Sequence, residues 1–317
     1  MVGRYLSKIV AAAFVAIPTL VLTSSPVHAV PFSLGAFDLY GLLVNDGVAN
    51  GDINTAPVNA NIGIGNVTGS VNLHNEIVNG TVDCEGSCAT AVSGAAITGT
   101  QPVSRGGSSP SGSPASVNSN VSTVQTAIAT ANSLSSTYGA EAASGTAVSI
   151  TTGSQTINAS AGFLDASGAL IFTSTSFTIG NGNTLTVNGS ASDYVVIDVT
   201  GNTNTKLDGA LALTGGITSG QVLVNFLGVG NNVQGAANGA TLQGTFLIPH
   251  MGVQLNSLKI GGHLFGGQSG TNFQFVSNAL ISQPALIAPA AIPEPASLAL
   301  LATSLLGIGM VYRRRAG

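Results

Sequence analysis

The chain has 317 residues, of which 6% are charged, 44% hydrophobic and 42 are glycine, with no tryptophan and a formal charge of −4. So few cations argue against nucleic-acid binding, which depends on clustered Lys and Arg neutralising phosphates. The hydrophobic content argues against a disordered tract, which couples low hydrophobicity to high net charge, and suits a turn-rich all-β protein.

The N-terminus carries Arg4 and Lys8, an apolar run from Ile9 to Leu22, and the small-residue site Val27-His28-Ala29. That order reads as a secretory signal peptide over 1–29, cleaved after Ala29. An uncleaved anchor is the alternative, but Pro18 interrupts a run shorter than the ~20 residues a spanning helix needs. Removing Arg4 and Lys8, together with Arg313, Arg314 and Arg315 at the other end, takes the charge from −4 to −9 and leaves Arg105, Lys206 and Lys259 as the only cations.

From Phe37 to Thr98 short apolar segments such as Ile62-Gly63-Ile64 and Ile77-Val78 alternate with Asn-Gly and Thr-Gly turn signals, predicting strands and turns. Cys84 and Cys88 close the stretch Cys84-Glu85-Gly86-Ser87-Cys88. After export a small disulfide loop is their leading reading, and no neighbouring Cys or His pair completes a zinc site. Residues 101–116, dense in Ser, Gly and Pro, predict an exposed loop.

Over 117–138 the residues Val121, Val124, Ile128, Ala131, Leu134 and Tyr138 recur at helical spacing, with Ser116 and Gly139 as candidate caps. The remaining faces are Ser, Thr, Asn and Gln, so this helix depends on docking its apolar stripe. From Thr146 to Ser282 the chain returns to strand, in Thr184-Leu185-Thr186-Val187, Tyr194-Val195-Val196-Ile197, Gln221 to Phe226 and Thr245 to Ile248 among others. The apolar runs recur unevenly, 27 residues from Val195 to Val222 and 24 from Val222 to Phe246. Such rungs suit an irregular β-solenoid with insertions in its loops; a β-sandwich gives the same local signals.

The C-terminus reads Pro293-Glu294-Pro295, an uncharged run from Ala296 to Tyr312, then Arg313-Arg314-Arg315. The run sits at the lower edge of membrane-spanning length, and the arginines would hold its end in the cytoplasm. An ordinary single-pass anchor has the same chemistry. The order triplet, helix, basic cluster resembles the PEP-CTERM sorting signal, which implies an exosortase-type sorting protease as partner. Residues 284–292 would be the linker before it.

The strings Tyr194 to Thr200, Leu213-Thr214-Gly215-Gly216, Val222 to Phe226, Gly244 to Pro249 and Ile260 to Gly267 resemble the choice-of-anchor A family, which carries varied C-terminal anchors. They are also similar to ice-binding-like β-solenoids, together with Asn61-Ile62-Gly63-Ile64-Gly65 and Asn79-Gly80-Thr81-Val82. The resemblance implies a mainly β fold: an irregular right-handed β-solenoid over 30–283 with one long α-helix packed alongside, plus a transmembrane helix over 296–312.

Chemistry is sparse. His74, His250 and His263 form no metal-ligand spacing. His74 reads as a surface histidine in a turn, His250 and His263 as residues of solenoid corners. Gly216-Ile217-Thr218-Ser219-Gly220 approaches a nucleophile elbow but puts threonine at the centre, and Gly63 to Gly69 misses the dinucleotide fingerprint. Asn45, Asp46, Asn50 and Asp52 offer oxygen ligands for calcium, yet Pro57 stands where an EF-hand needs a carboxylate. Asp193 and Asp198, an odd number of strand positions apart, do not share a face as a glycosidase pair would. No catalytic residue, metal or cofactor is expected.

The function expected is that of an exosortase-sorted cell-surface or extracellular structural and adhesive protein of a biofilm or exopolysaccharide matrix, not an enzyme. It would be held at the membrane through its C-terminal helix before processing. Ice binding is the alternative, on the pairs Thr173/Thr175, Thr184/Thr186 and Thr203/Thr205, since alternate strand residues share a face. Polysaccharide binding is a second.

Overall fold

The computed structural model describes residues 32–54, 60–68, 71–74, 77–78, 81–85, 96–97, 121–201, 205–236, 239–276 and 279–282. The signal peptide, the loop 101–116, the linker and the sorting tail with its apolar run therefore lie outside the described residues. Among the described residues no helix is long and apolar enough to cross a membrane.

The strands form a coil whose successive turns pair in parallel; the exception is the short strand Phe163–Leu164, which runs antiparallel to Leu170–Ser174. Each full turn contributes to three faces. The first stacks Leu170–Ser174, Val195–Val199, Val222–Phe226, the second halves of Thr241–Ile248 and Lys259–Gly266, then Leu42–Val44, Ile62–Ile64 and Val82–Cys84. The second stacks Thr178–Ile179, Thr205–Leu207, Asn232–Gly235, Gly252–Asn256, Asn272–Val276, Asn50–Asn54 and Val71–His74. The third stacks Gln155–Asn158, Thr184–Asn188, Ala210–Thr214, the first halves of Thr241–Ile248 and Lys259–Gly266, and Leu280–Ser282. The spatial order thus departs from chain order: the N-terminal turns sit beyond the last C-terminal one, through Leu42 opposite Leu264 and Asn50 opposite Asn272.

Among the described residues one α-helix, α1 (Val121–Glu141), runs back along the stack. Its 21 residues span about 31 Å at 1.5 Å each, close to the roughly 34 Å of the seven strand-to-strand steps from Val82–Cys84 to Leu170–Ser174. Gln125 near its start donates to Glu85 (2.6 Å), and Thr173 Oγ1 donates to the Ala142 carbonyl just past its end (2.5 Å). The helix is longer at its C-terminus than its apolar pattern suggests. Gly139 lies inside it and is not a cap, because the helix runs on to Glu141; a Cβ at 139 would meet Leu227 Cδ2 at 2.7 Å.

The first face is buried on both sides, which is why its strands read as continuous apolar runs. Inward, Phe172, Ile197, Val224, Phe246, Leu264, Leu42, Ile62 and Val82 align in one row of the central core. Outward, Ile171, Val196, Leu223, Leu247, Phe265 and Leu43 form a second core with Val124, Ala127, Ile128, Ala131 and Tyr138 of α1. Each such large side chain, once buried, contributes about 1.5–3 kcal/mol. The other two faces alternate buried with part-exposed residues, as in Thr184–Asn188 and Asn272–Val276, because one side meets water.

Turn length, the distance between paired residues, falls from 27 (Val195 to Val222) to 22 (Leu223 to Thr245) to 18 (Thr245 to His263). Phe246 accordingly pairs with Val224, two residues off the alignment its apolar run suggests. The drop from 27 happens at one corner, and the step from 22 to 18 is shared by the other two. Early turns cross from third to first face through loops such as 215–221, whereas Thr241–Ile248 and Lys259–Gly266 pass straight round it, bending at Gly244 (φ 133°) and Gly262. A Cβ on Gly262 would run into the backbone of Gly244, while one on Gly261 would meet only the movable Gln243 amide. Gly262→Ala is therefore expected to destabilise by roughly 2–4 kcal/mol and Gly261→Ala by under about 1 kcal/mol, read from denaturant melts; equal losses would contradict this account of the corner.

Candidate functional site

Two solvent-facing sheet faces are available for contact, since α1 covers the first. The third face is short-chained and hydroxyl-rich. Thr156, Thr186 and Ala212 lie side by side, Thr184 neighbours Ala210, and Asn158, Asn188 and Thr214 form a row joined by side-chain hydrogen bonds of 3.1 Å. Thr241 and Gln243 extend it beyond the two alanines.

The second face is built of amides. Lys206, Gln234, Gln254, Gln274 and Asp52 stand in register across it, and Gln234 Nε2 donates to Gln254 Oε1 at 3.1 Å. The equal 20-residue spacing of Gln234, Gln254 and Gln274 is the trace this ladder leaves in the sequence. Asp208 is held by the Ala236 N–H at 2.9 Å.

The threonine pairs do not converge on one face. Thr173 points toward α1, where it bonds Ala142; Thr175 is exposed in the bend that follows; Thr184 and Thr186 lie on the third face; and Thr205 points inward at 2% exposure. Thr203 is outside the described residues. Successive separations of 11 and 21 residues, each less than a full turn of 25 to 27, put Thr173, Thr184 and Thr205 on different faces.

Other candidates are absorbed by structure. His263 follows directly on the corner at Gly262 and is buried in the strand Lys259–Gly266, with Nδ1 2.9 Å from the Tyr40 carbonyl and Nε2 3.3 Å from Asp38. His250 is exposed in a turn, and His74 ends the strand Val71–His74, not a turn. Asn45 spends its amide on the carbonyls of Pro249 and Gly267 and its oxygen on the Asp46 N–H, while Asn50 and Asp52 belong to the second face; the four do not surround a common point. Among the described residues no group of three His, Cys, Asp or Glu could hold a metal ion. Thr218 caps the short helical turn Ser219–Gln221 through Gln221, so the glycine-flanked segment is a turn. Cys84 is disulfide-bonded at the end of the central core; Cys88 lies outside the described residues.

Asp193 is half-buried and accepts from the Ser190 N–H, whereas Asp198 is fully buried beneath α1. Asn225 Nδ2 donates to Asp198 Oδ1 (2.8 Å) and to the Ser135 carbonyl (2.9 Å), and Ser135 Oγ donates to Asn225 Oδ1 (2.5 Å). Sequence reasoning missed this clamp, although Ser135 sits in the helix stripe between Ala131 and Tyr138. Burial, only partly offset by the Asn225 bond, pushes the Asp198 carboxyl up to about 7, and the charge of Glu141 adds to the rise. At the other end of the seam Tyr40 donates to Asp83 at 2.8 Å, and burial raises both groups.

The described residues form a mainly parallel β coil with one α-helix along its side. The family model of the ice-binding-like adhesive domain matches residues 32–275, and the chain belongs to that family. A PEP-CTERM protein-sorting motif matches 291–315, which marks a protein exported to the cell surface. The choice-of-anchor A likeness rests on the sequence strings alone. Similar solved structures include an ice-binding protein from the Antarctic ascomycete Antarctomyces psychrotrophicus (16% identity, TM-score 0.50, 80% of this chain and 98% of that chain covered). Others are the ice-binding protein 1 DUF3494 domain of Shewanella frigidimarina (14%, 0.51, 80% and 98%) and an ice-binding protein from an Antarctic Flavobacteriaceae bacterium (14%, 0.51, 83% and 49%). At such identities the likeness shows the fold alone. No curated protein matches the chain.

Because the Asp198 carboxyl is raised in the folded state, its contribution is complete below the ordinary aspartate range near pH 4 and is lost as pH rises to about 7. Stability should fall by on the order of a few kcal/mol across that window. Asp198→Asn should flatten the slope; an unchanged slope in urea melts at stepped pH would refute the assignment.

Proposed function

We propose that this is an exosortase-processed surface or matrix protein whose coil works by adhesion without turnover. The observation that carries the reading is the pairing of a sorting motif at 291–315 with an adhesive-type domain over 32–275, whose open faces present amides and hydroxyls. A parallel β stack is stiff and repeats its side chains at about 4.8 Å, so weak polar contacts add along its length. The run 296–312 would stop the chain in the inner membrane, Arg313 to Arg315 would fix its orientation, and cleavage near Pro293-Glu294-Pro295 would release the domain into an exopolysaccharide matrix. The coil is taken as right-handed, the hand that parallel crossovers strongly favour.

Ice binding is the second reading. It is favoured by the third face, where Thr156, Thr184, Thr186, Thr241, Ala210 and Ala212 make a hydroxyl and methyl surface, and by the ice-binding proteins that share the fold.

Mass spectrometry of the protein from its host is expected to show an N-terminus at Val30 and a C-terminus near residue 294; an intact Arg315-Ala316-Gly317 end in the membrane fraction would instead mean a permanent anchor. Deleting the gene should weaken attachment or alter matrix composition, and unchanged behaviour in both would count against adhesion. Purified protein should show no thermal hysteresis at micromolar concentration. If it does, ice binding takes precedence, and Thr186→Tyr should abolish the effect.

A further inference from the structure

The second face contains a recess fixed by register. Lys206, Gln234 and Gln254 stand side by side in one outward row, and two residues further along each strand come Asp208, Ala236 and Asn256. The middle position of the second row is thus the smallest. Ala236 forms a notch between Asp208 and Asn256, which stand two strand spacings apart, about 9.6 Å. With Gly235 beneath it, the set encloses an open cavity of about 340 Å³.

The walls are planar and held in place. Asp208 is oriented by the Ala236 N–H, and the Gln234 amide is tied to Gln254. The bonded Gln234 amide keeps its Oε1 as an acceptor, Gln254 keeps its NH2 as a donor, and Asn256 and Lys206 add donors beside the Asp208 carboxylate. Planar groups carrying donors and acceptors at fixed spacing match adjacent hydroxyls on a sugar ring. One cation against one anion gives no preference for a strongly charged polymer. The cavity has no aromatic wall, so a single ring would be held weakly, and useful affinity would come from many copies on one polymer.

We infer that the recess bounded by Lys206, Asp208, Gln234, Ala236, Gln254 and Asn256 is a subsite for a hexopyranose unit of a neutral polysaccharide. This deepens the matrix reading above by assigning the contact to one face, and it rests on that reading.

The side-chain amide protons report directly. In the mature, isotope-labelled protein titrated with cellohexaose and with isomaltohexaose, the NH2 signals of Gln234, Gln254 and Asn256 should shift with at least one of the two. Thr186→Leu on the third face should leave the titration unchanged, whereas Ala236→Leu, which fills the notch, should weaken binding roughly tenfold or more. Melting temperature checks that both variants remain folded. Binding that persists undiminished in Ala236→Leu, or shifts confined to the third face, would overturn this subsite while leaving matrix adhesion standing. Absence of any shift with both hexasaccharides would also overturn it, and retention of the protein by its host's matrix then tests the adhesion reading separately.

Discussion

Everything in this fold depends on docking α1 onto the outward side of the first face. The chain begins its coil at one end of the stack and must resume at the other, because the turns built from residues 42–84 lie beyond those ending near 276. A helix of 21 residues is the compact element that covers such a distance. Its apolar side, Val124, Ala127, Ile128, Ala131 and Tyr138, packs into one cluster with Leu223, Leu247 and Phe265. The polar rest of the helix cannot hold it in place alone, which is why the seam also carries the Ser135–Asn225–Asp198 clamp.

That arrangement divides the molecule by role. One face is spent on internal packing and holds the buried carboxyls Asp83 and Asp198, whose raised proton affinity follows from loss of water and not from a catalytic partner. Two faces remain, and their chemistry differs: short hydroxyl and methyl groups on the third, longer amides on the second. The same scaffold can therefore present a flat surface or a recessed one, and the choice lies in outward residues that contribute little to the core.

Low charge suits this design. Regular stacking places side chains of adjacent turns about 4.8 Å apart, a spacing at which like charges in a row repel and amides or hydroxyls hydrogen-bond instead. The rows Asn158–Asn188–Thr214 and Gln234–Gln254 are that preference in practice. The sorting motif at 291–315 marks such a sparsely charged scaffold for the cell surface.

The sequence alone determined the strand-rich class, the single helix and its stripe, and the sorting motif, because each is a local pattern: alternation, helical spacing, or an ordered tripartite segment. Register was decided only in three dimensions. The turns that hold Thr173, Thr184 and Thr205 use 25 to 27 residues, so separations of 11 and 21 put these threonines respectively beside the end of the helix, on the third face and in the core. His263 and Asp198 look like surface groups in isolation and are buried because α1 and residues 35–40 close over them. Which residues share a face depends on how many residues each turn uses, a sum over the whole circuit that no local window of sequence contains.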